Sequence, residues 1–196
     1  YNKKRKGLTK TSNVGIKASK GEFVLRLDAD DYLDKNCLKI LYKKIKKNRQ
    51  TAMVYSDYYE VDNKENIITK EKQINFKSKK NLRDRPVLAA CCLMRKSSLF
   101  SVNLYDEKFS RQDGYDMWYK LIQDFNIEYV SKPLFYYRRH QNNLTSNKRI
   151  LYRARSEILK KYAYQKIKKL NIVGIVPVRG KKIEKSFSYL KKIKKK

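Results

Sequence analysis

Three carboxylates fall within four residues, at Asp28, Asp30 and Asp31, directly behind the apolar residues Phe23, Val24, Leu25 and Leu27. Anions this close repel one another, so the arrangement is costly unless a cation is supplied. Hard oxygen ligands suit Mg²⁺ or Mn²⁺, and a site with few protein ligands completes its shell with substrate phosphates. The residue types and their spacing therefore read as a metal–diphosphate site. An EF-hand loop is excluded: its sixth and twelfth positions, counted from Asp28, would need glycine and glutamate and hold Leu33 and Lys39. An acidic helix cap accounts for one carboxylate, and Asp34 already stands in that place. Two more groups invite chemistry. Asp113 is expected just before an amphipathic helix running through Leu121, Ile122 and Phe125, where the helix dipole favours an ionised carboxylate; an ordinary cap is the alternative. His140 is the single histidine and closes the run Tyr136-Tyr137-Arg138-Arg139, so it either completes a metal shell or plays a structural part.

These groups need elements to hold them. The apolar run at 23–27 reads as a buried strand of an α/β sheet, with its carboxylates at the carboxyl end, where such sheets bind ligands. Thr11-Ser12-Asn13 is expected to cap a helix reaching Ser19, and a second helix over 35–47 carries Leu38, Ile40, Leu41 and Ile45 at helical spacing. A strand follows at 52–57, then a polar stretch at 63–80 that suits a hairpin or loop, then a buried apolar segment at 88–94 and a short helix. Two strands, at 127–130 and 134–137, are expected on either side of Lys132-Pro133, and a basic helix over 147–170.

Composition narrows the class. A chain of 196 residues can bury one substantial core. Lys and Arg number 49 against 19 Asp and Glu, a formal charge of +30, which suits nucleic acid or an anionic membrane surface. The basic residues are spread over almost every expected helix and no nucleic-acid module is recognisable, so the charge reads chiefly as composition, with peripheral attraction to anionic lipid as a secondary effect. Cys37, Cys91 and Cys92 show no Cys-x-x-Cys spacing, which fits a reducing cytoplasm and no zinc site. No apolar run approaches a transmembrane length, and the start at Tyr1 suggests a fragment or processed product. The expected location is cytoplasmic, or peripheral at the inner face of a membrane.

In order and spacing, 5–147 resembles the family-two glycosyltransferases of the GT-A fold. The resemblance is carried by Asn13-Val14-Gly15-Ile16, Gly21-Glu22-Phe23-Val24 leading to Asp28-Ala29-Asp30-Asp31, Gln112-Asp113-Gly114-Tyr115-Asp116-Met117-Trp118, and Tyr137-Arg138-Arg139-His140. It implies an α/β fold, a Rossmann-like mixed sheet flanked by helices. The amino-terminal strand that holds the nucleotide base in that family is not found before Asn13. It further implies an inverting hexosyltransferase using a nucleotide-sugar donor and a glycan, lipid-linked or protein acceptor, with Mg²⁺ or Mn²⁺. Asp113 would be the catalytic base. Asn13, Asp28, Asp30 and Asp31 would bind the donor, and Asp28, Asp30 and His140 the metal.

A second resemblance lies in the tail: Ile172-Val173-Gly174-Ile175-Val176-Pro177-Val178-Arg179-Gly180-Lys181 is similar to the opening strand and nucleotide loop of sugar-nucleotide cytidylyltransferases, with a capping strand as the alternative. The expected organisation is a glycosyltransferase domain at 1–147, a linker helix at 148–170 and the start of another domain at 171–196. The rival functions are a basic nucleic-acid-binding protein and a cytidylyltransferase whose catalytic part lies beyond this chain.

Overall fold

The computed structural model describes residues 7–73, 75, 91–141, 143 and 147–170. The chain divides into two compact units, Tyr1–Ser156 and Glu157–Lys196. The first holds a mixed sheet in the order β1-β5-β3-β6-β2, with β4 paired to β3. In the second, the described residues continue a helix begun in the first. The tail expected to open another domain, at 171–196, lies outside the described residues.

The centre of the sheet is β3 (Thr51–Val61), buried along nearly all of its length. It runs parallel to β6 (Asn126–Arg138) and antiparallel to β5 (Leu93–Arg95) and β4 (Ile67–Glu71). Side chains of β3 alternate between two cores, because successive residues of a strand point to opposite faces. Met53 and Tyr55 join Trp118, Leu121 and Leu99 on one face. Val54 joins Leu41, Ile45 and Phe135 on the other. Helices α3 (Lys96–Ser101) and α4 (Asp113–Asp124) supply the first face, and α2 (Cys37–Ile45) the second. Cys37, Leu41 and Ile45, four residues apart, form the buried stripe of α2, while Leu38, expected in that stripe, is 54% exposed.

Several expected boundaries move for identifiable reasons. The first helix, α1 (Leu8–Ala18), opens behind Gly7, whose φ of 83° favours glycine, and so begins before the Thr-Ser-Asn expected to cap it. Asn13 is thereby placed inside the helix and buried. Its side chain clamps the backbone of Tyr105: Nδ2 donates to the Tyr105 carbonyl at 2.9 Å and Oδ1 accepts from the Tyr105 N–H at 3.0 Å. The acidic-tipped strand is shorter and less buried than expected. It comprises β1 (Phe23–Leu25), half-buried and, among the described residues, paired antiparallel with β5 alone at the edge of the sheet.

The two strands expected around Lys132-Pro133 are one strand, β6. Its pairing with β3 jumps from Ser56↔Val130 to Asp57↔Pro133, so the irregularity sits where proline has no N–H to give the ladder. The polar stretch after β3 closes as a hairpin around Asp62, whose carboxylate accepts from the backbone of Lys64 and Asn66 and returns the chain as β4.

Candidate active site

After β1 the chain leaves the sheet in a turn closed by Asp31 N–H donating to the Asp28 carbonyl at 3.2 Å, then re-enters it as the two-residue β2 (Tyr32–Leu33) beside β6. This turn hangs the three carboxylates beside the carboxyl end of β6. A cavity of about 1220 Å³ opens there, and Asp28, Asp30, Asp113 and His140 all line it. Residues separated by up to 112 positions in sequence are brought to one wall by the β2–β6 pairing and by α4.

Asp113 is the first residue of α4, with Asp116 in the same turn, so both carboxylates stand at the helix's positive end. The preceding Gln112 has left-handed backbone (φ 57°, ψ 26°), an uncommon conformation for a residue with a side chain, and its Oε1 is buried without a hydrogen-bond partner among the described residues. That turn swings Asp113 into the cavity while Asp116, 1% exposed, faces inward toward Lys120 Nζ at 3.4 Å.

Arg26, which follows β1, is the residue the sequence reading overlooked. Its Nη1 donates to Asp113 Oδ2 at 2.5 Å and its Nε stands 3.1 Å from Asp28 Oδ1, so one guanidinium bridges both carboxylates. Burial works against its charge, yet the neighbouring carboxylate of Asp113, with Tyr105 and Asp28, holds its pKa above the usual arginine range. The signal was present: a lone cation interrupts the apolar run two residues ahead of the first carboxylate.

Asp30 and Asp31 point in different directions. Asp30 Oδ2 meets His140 Nε2 at 2.8 Å, and the His140 N–H donates to Asn143 Oδ1 at 2.6 Å, which fixes the turn behind β6. Asp31 turns away from the cavity and is 8% exposed; its Oδ1 accepts the Arg138 N–H at 2.9 Å, and its Oδ2 is buried without a partner among the described residues. Burial pushes its pKa up to about 6, against the lowering effect of the Arg138 N–H and helped by Asp30 and Asp28. Of the candidate residues, the structure therefore gathers Asp28, Asp30, Asp113 and His140 on the cavity, and leaves Asn13 and Asp31 as buried supports beside it.

The donor set can be tested against a divalent ion. Among the described residues, no group of three or more His, Cys, Asp and Glu side chains is placed to hold a metal by itself. Asp28 and Asp30 nonetheless offer hard oxygens to the cavity, with side chains 33% and 39% exposed. Mg²⁺ characteristically takes one or two carboxylates and fills the rest of its shell with phosphate and water, so the two residues fit it.

Comparison with known proteins agrees with this architecture. The chain is 27% identical over 141 residues to an uncharacterized glycosyltransferase of Methanocaldococcus jannaschii, covering 70% of this chain and 49% of that protein. It is 23% identical over 181 residues to chondroitin synthase of Escherichia coli, covering 86% of this chain and 26% of that one. A β-1,3-glucosyltransferase of Escherichia coli, WfgD, is 26% identical over 152 residues, with 75% of this chain and 57% of its own covered. The chain thus spans less than two thirds of each of these relatives. Among solved structures, Staphylococcus aureus TarS (residues 1–349) superimposes with a TM-score of 0.54 at 22% identity, over 70% of this chain and 42% of that one. The curled mixed sheet flanked by helices is the GT-A-like fold of that structure. The family profile described as "Glycosyl transferase family 2" matches residues 1–105, more than half of the sequence. The chain belongs to glycosyl transferase family 2.

Proposed function

We propose that this chain forms the donor-binding and catalytic part of an inverting glycosyltransferase, moving a sugar from a nucleoside-diphosphate sugar to an acceptor hydroxyl in glycan synthesis. One observation carries the reading: Arg26 joins Asp28 to Asp113 within one cavity, and in this reading Asp28 serves the diphosphate and Asp113 the acceptor. The names of the relatives, which include synthases and a glucosyltransferase acting on a diphosphate-linked acceptor, support the reaction class. TarS has been crystallised with UDP and with UDP-GlcNAc, which supports a uridine nucleotide as the first donor to try.

In this reading the acceptor oxygen attacks the anomeric carbon as the bond from that carbon to the diphosphate oxygen breaks. The electron pair leaves with the nucleoside diphosphate, and the acceptor's proton passes to Asp113. Arg26 occupies Asp113 Oδ2, so the proton is taken by Oδ1. Arg26 also holds two like charges at a fixed separation, which keeps the base aimed while the donor side fills. Asp28 and Asp30, with His140 orienting Asp30, would hold Mg²⁺ or Mn²⁺, which would supply Lewis-acid stabilisation of the charge on the leaving diphosphate.

Isothermal titration of UDP into the protein, with and without Mn²⁺, tests the donor side. Mn²⁺ should strengthen UDP binding in the wild type, and Asp30→Ala should weaken the Mn²⁺-dependent binding by at least about tenfold. Equal UDP affinity in both proteins would remove Asp30 from the donor site.

A further inference from the structure

Among the described residues, the basic side chains on the cavity wall do not all have carboxylates against them. Arg26 is committed to Asp28 and Asp113, and His140 stands against Asp30. Arg155 lines the same cavity from α5 (Lys148–Leu170), within the first compact unit, and has no carboxylate against it among the described residues. Its Nε is buried and makes no hydrogen bond there. A guanidinium remains charged at any ordinary pH, and leaving its buried Nε unanswered is costly. The group is nevertheless held in place. Its central carbon lies 5.4 Å from the ring centroid of Tyr115 and 5.9 Å from that of Tyr152, cation–π contacts that set its orientation and satisfy none of its N–H donors.

Tyr115 makes the platform rigid. It is 3% exposed, meets Tyr119 edge-on at 5.1 Å, and sits two residues beyond Asp113 on α4. The charge of Arg155 is therefore tied to the helix that carries the base, on the acceptor side of the reaction proposed above. A guanidinium held over aromatic rings, with its buried Nε unanswered, offers a planar fork that matches the two oxygens of a carboxylate or phosphate.

We propose that Arg155, stacked on Tyr115, is an acceptor subsite that binds an oxyanion, a carboxylate or phosphate carried by the acceptor close to the hydroxyl that is glycosylated. The inference rests on the transfer reaction above and deepens it by assigning the acceptor an anionic class. The subsite orients the acceptor's hydroxyl toward Asp113 by holding a second point of the same molecule. It also separates anionic from neutral acceptors, because a neutral oxygen accepts from a guanidinium more weakly than a charged one.

The probes are D-glucuronate and glycerol 3-phosphate, each against its neutral counterpart, D-glucose and glycerol, in saturation-transfer NMR titrations of the full chain with UDP and Mg²⁺ present. At least one anion should bind about tenfold more tightly than its neutral counterpart, as a charge-assisted hydrogen bond warrants, and whichever does so identifies carboxylate or phosphate as the source. Arg155→Gln should abolish that preference and Arg155→Lys, which keeps the charge and loses the planar fork, should weaken it. Lys39→Gln, which removes one exposed charge on α2, should leave it unchanged and so controls for the general attraction of a chain carrying +30.

A wild type without preference for either anion overturns the proposal. So does a preference that survives Arg155→Gln, or one that Lys39→Gln reduces equally. Where Arg155→Gln fails to melt cooperatively, Arg155→Lys decides, and an undiminished preference there is the overturning result. UDP affinity, read by calorimetry on the same samples, should be unchanged in the Arg155 variants. Failure of the wild type to bind UDP would count against the donor reading, and the Arg155-dependence of anion binding remains readable separately.

Discussion

In the proposed reaction Asp113 would take the acceptor's proton on Oδ1, because Arg26 donates to Oδ2. Asp113→Asn keeps the shape and removes the capacity to accept a proton. In the proposed transfer, release of the nucleoside diphosphate from its sugar donor should then fall by about 10²–10⁴-fold, the usual worth of a general base, with nucleoside-diphosphate affinity nearly unchanged. Asp116→Asn is the control, since that carboxylate is buried against Lys120; the larger loss of turnover in Asp116→Asn would mean that the base is assigned to the wrong residue. Asp31 offers a different test. Its folded-state pKa of about 6 lies above the ordinary 3.8, so the folded protein binds that proton more tightly than the unfolded chain does. The resulting stabilisation is fully present below the unfolded value and is lost as the pH rises through the folded one. In chelator, the stability gap between wild type and Asp31→Asn should widen against the wild type by roughly 1–3 kcal/mol between about pH 4 and about pH 7. Denaturant melts of both proteins across that range measure it, and parallel curves would show that Asp31 carries no such proton. At this scale the carboxylates were legible because acidic residues are scarce in the chain and cluster in motifs. Arg26 carried a fainter signal, as the one charge inside an apolar run, and Arg155 carried none, because among 49 basic residues an arginine on a lysine-rich helix gives no sign of whether its neighbours in space are acids or rings.

The elements show which parts of a pattern survive packing. Leu41 and Ile45 of α2 and the apolar run of β3 were readable from spacing, whereas Leu38 turned outward and Cys37 took its place in the stripe. The start of α1 was not readable, because a cap is decided by backbone geometry at Gly7, and Asn13 of the Thr-Ser-Asn that resembles a cap bonds to Tyr105 instead. Nor was the continuity of β6, which depends on a partner strand able to absorb Pro133 in a bulge. Asn13 illustrates the consequence for function. It grips both polar groups of the Tyr105 backbone and also donates to Glu107 Oε1 at 3.2 Å. Asn13→Ala should therefore cost about 1–3 kcal/mol of stability, the usual penalty for buried backbone groups left unpaired, while UDP affinity in the folded protein stays unchanged. Urea melts and UDP titrations separate the two effects, and a loss of affinity without loss of stability would return Asn13 to the donor site.

At the scale of the whole molecule, the family match and the folded unit have different boundaries. The match ends at residue 105, but Asp113, His140 and all of β6 lie beyond it. The central strand is completed only by those later residues, since Thr51 pairs with Asn126 and Val61 with Arg138 along the parallel ladder. A chain ended after residue 105 should accordingly collect in the insoluble fraction, while one ended after residue 156 should stay soluble and unfold cooperatively; sedimentation of lysates and thermal melts compare them. Solubility of the shorter chain would mean that β3 tolerates an open side. The parallel pairing of β3 with β6 also has a meaning in time. A ribosome delivers β3 long before β6, and contacts so distant along the chain form slowly, after much loop entropy has been lost. Throughout that interval an eleven-residue strand, rich in tyrosine and valine, carries an unpaired row of backbone donors and acceptors ready to zip onto any other strand, including its own copy on a neighbouring chain. Yield of the protein in a cell should then depend on the speed of elongation between Val61 and Asn126 and on chaperones that occupy this edge, more than on the stability of the finished fold.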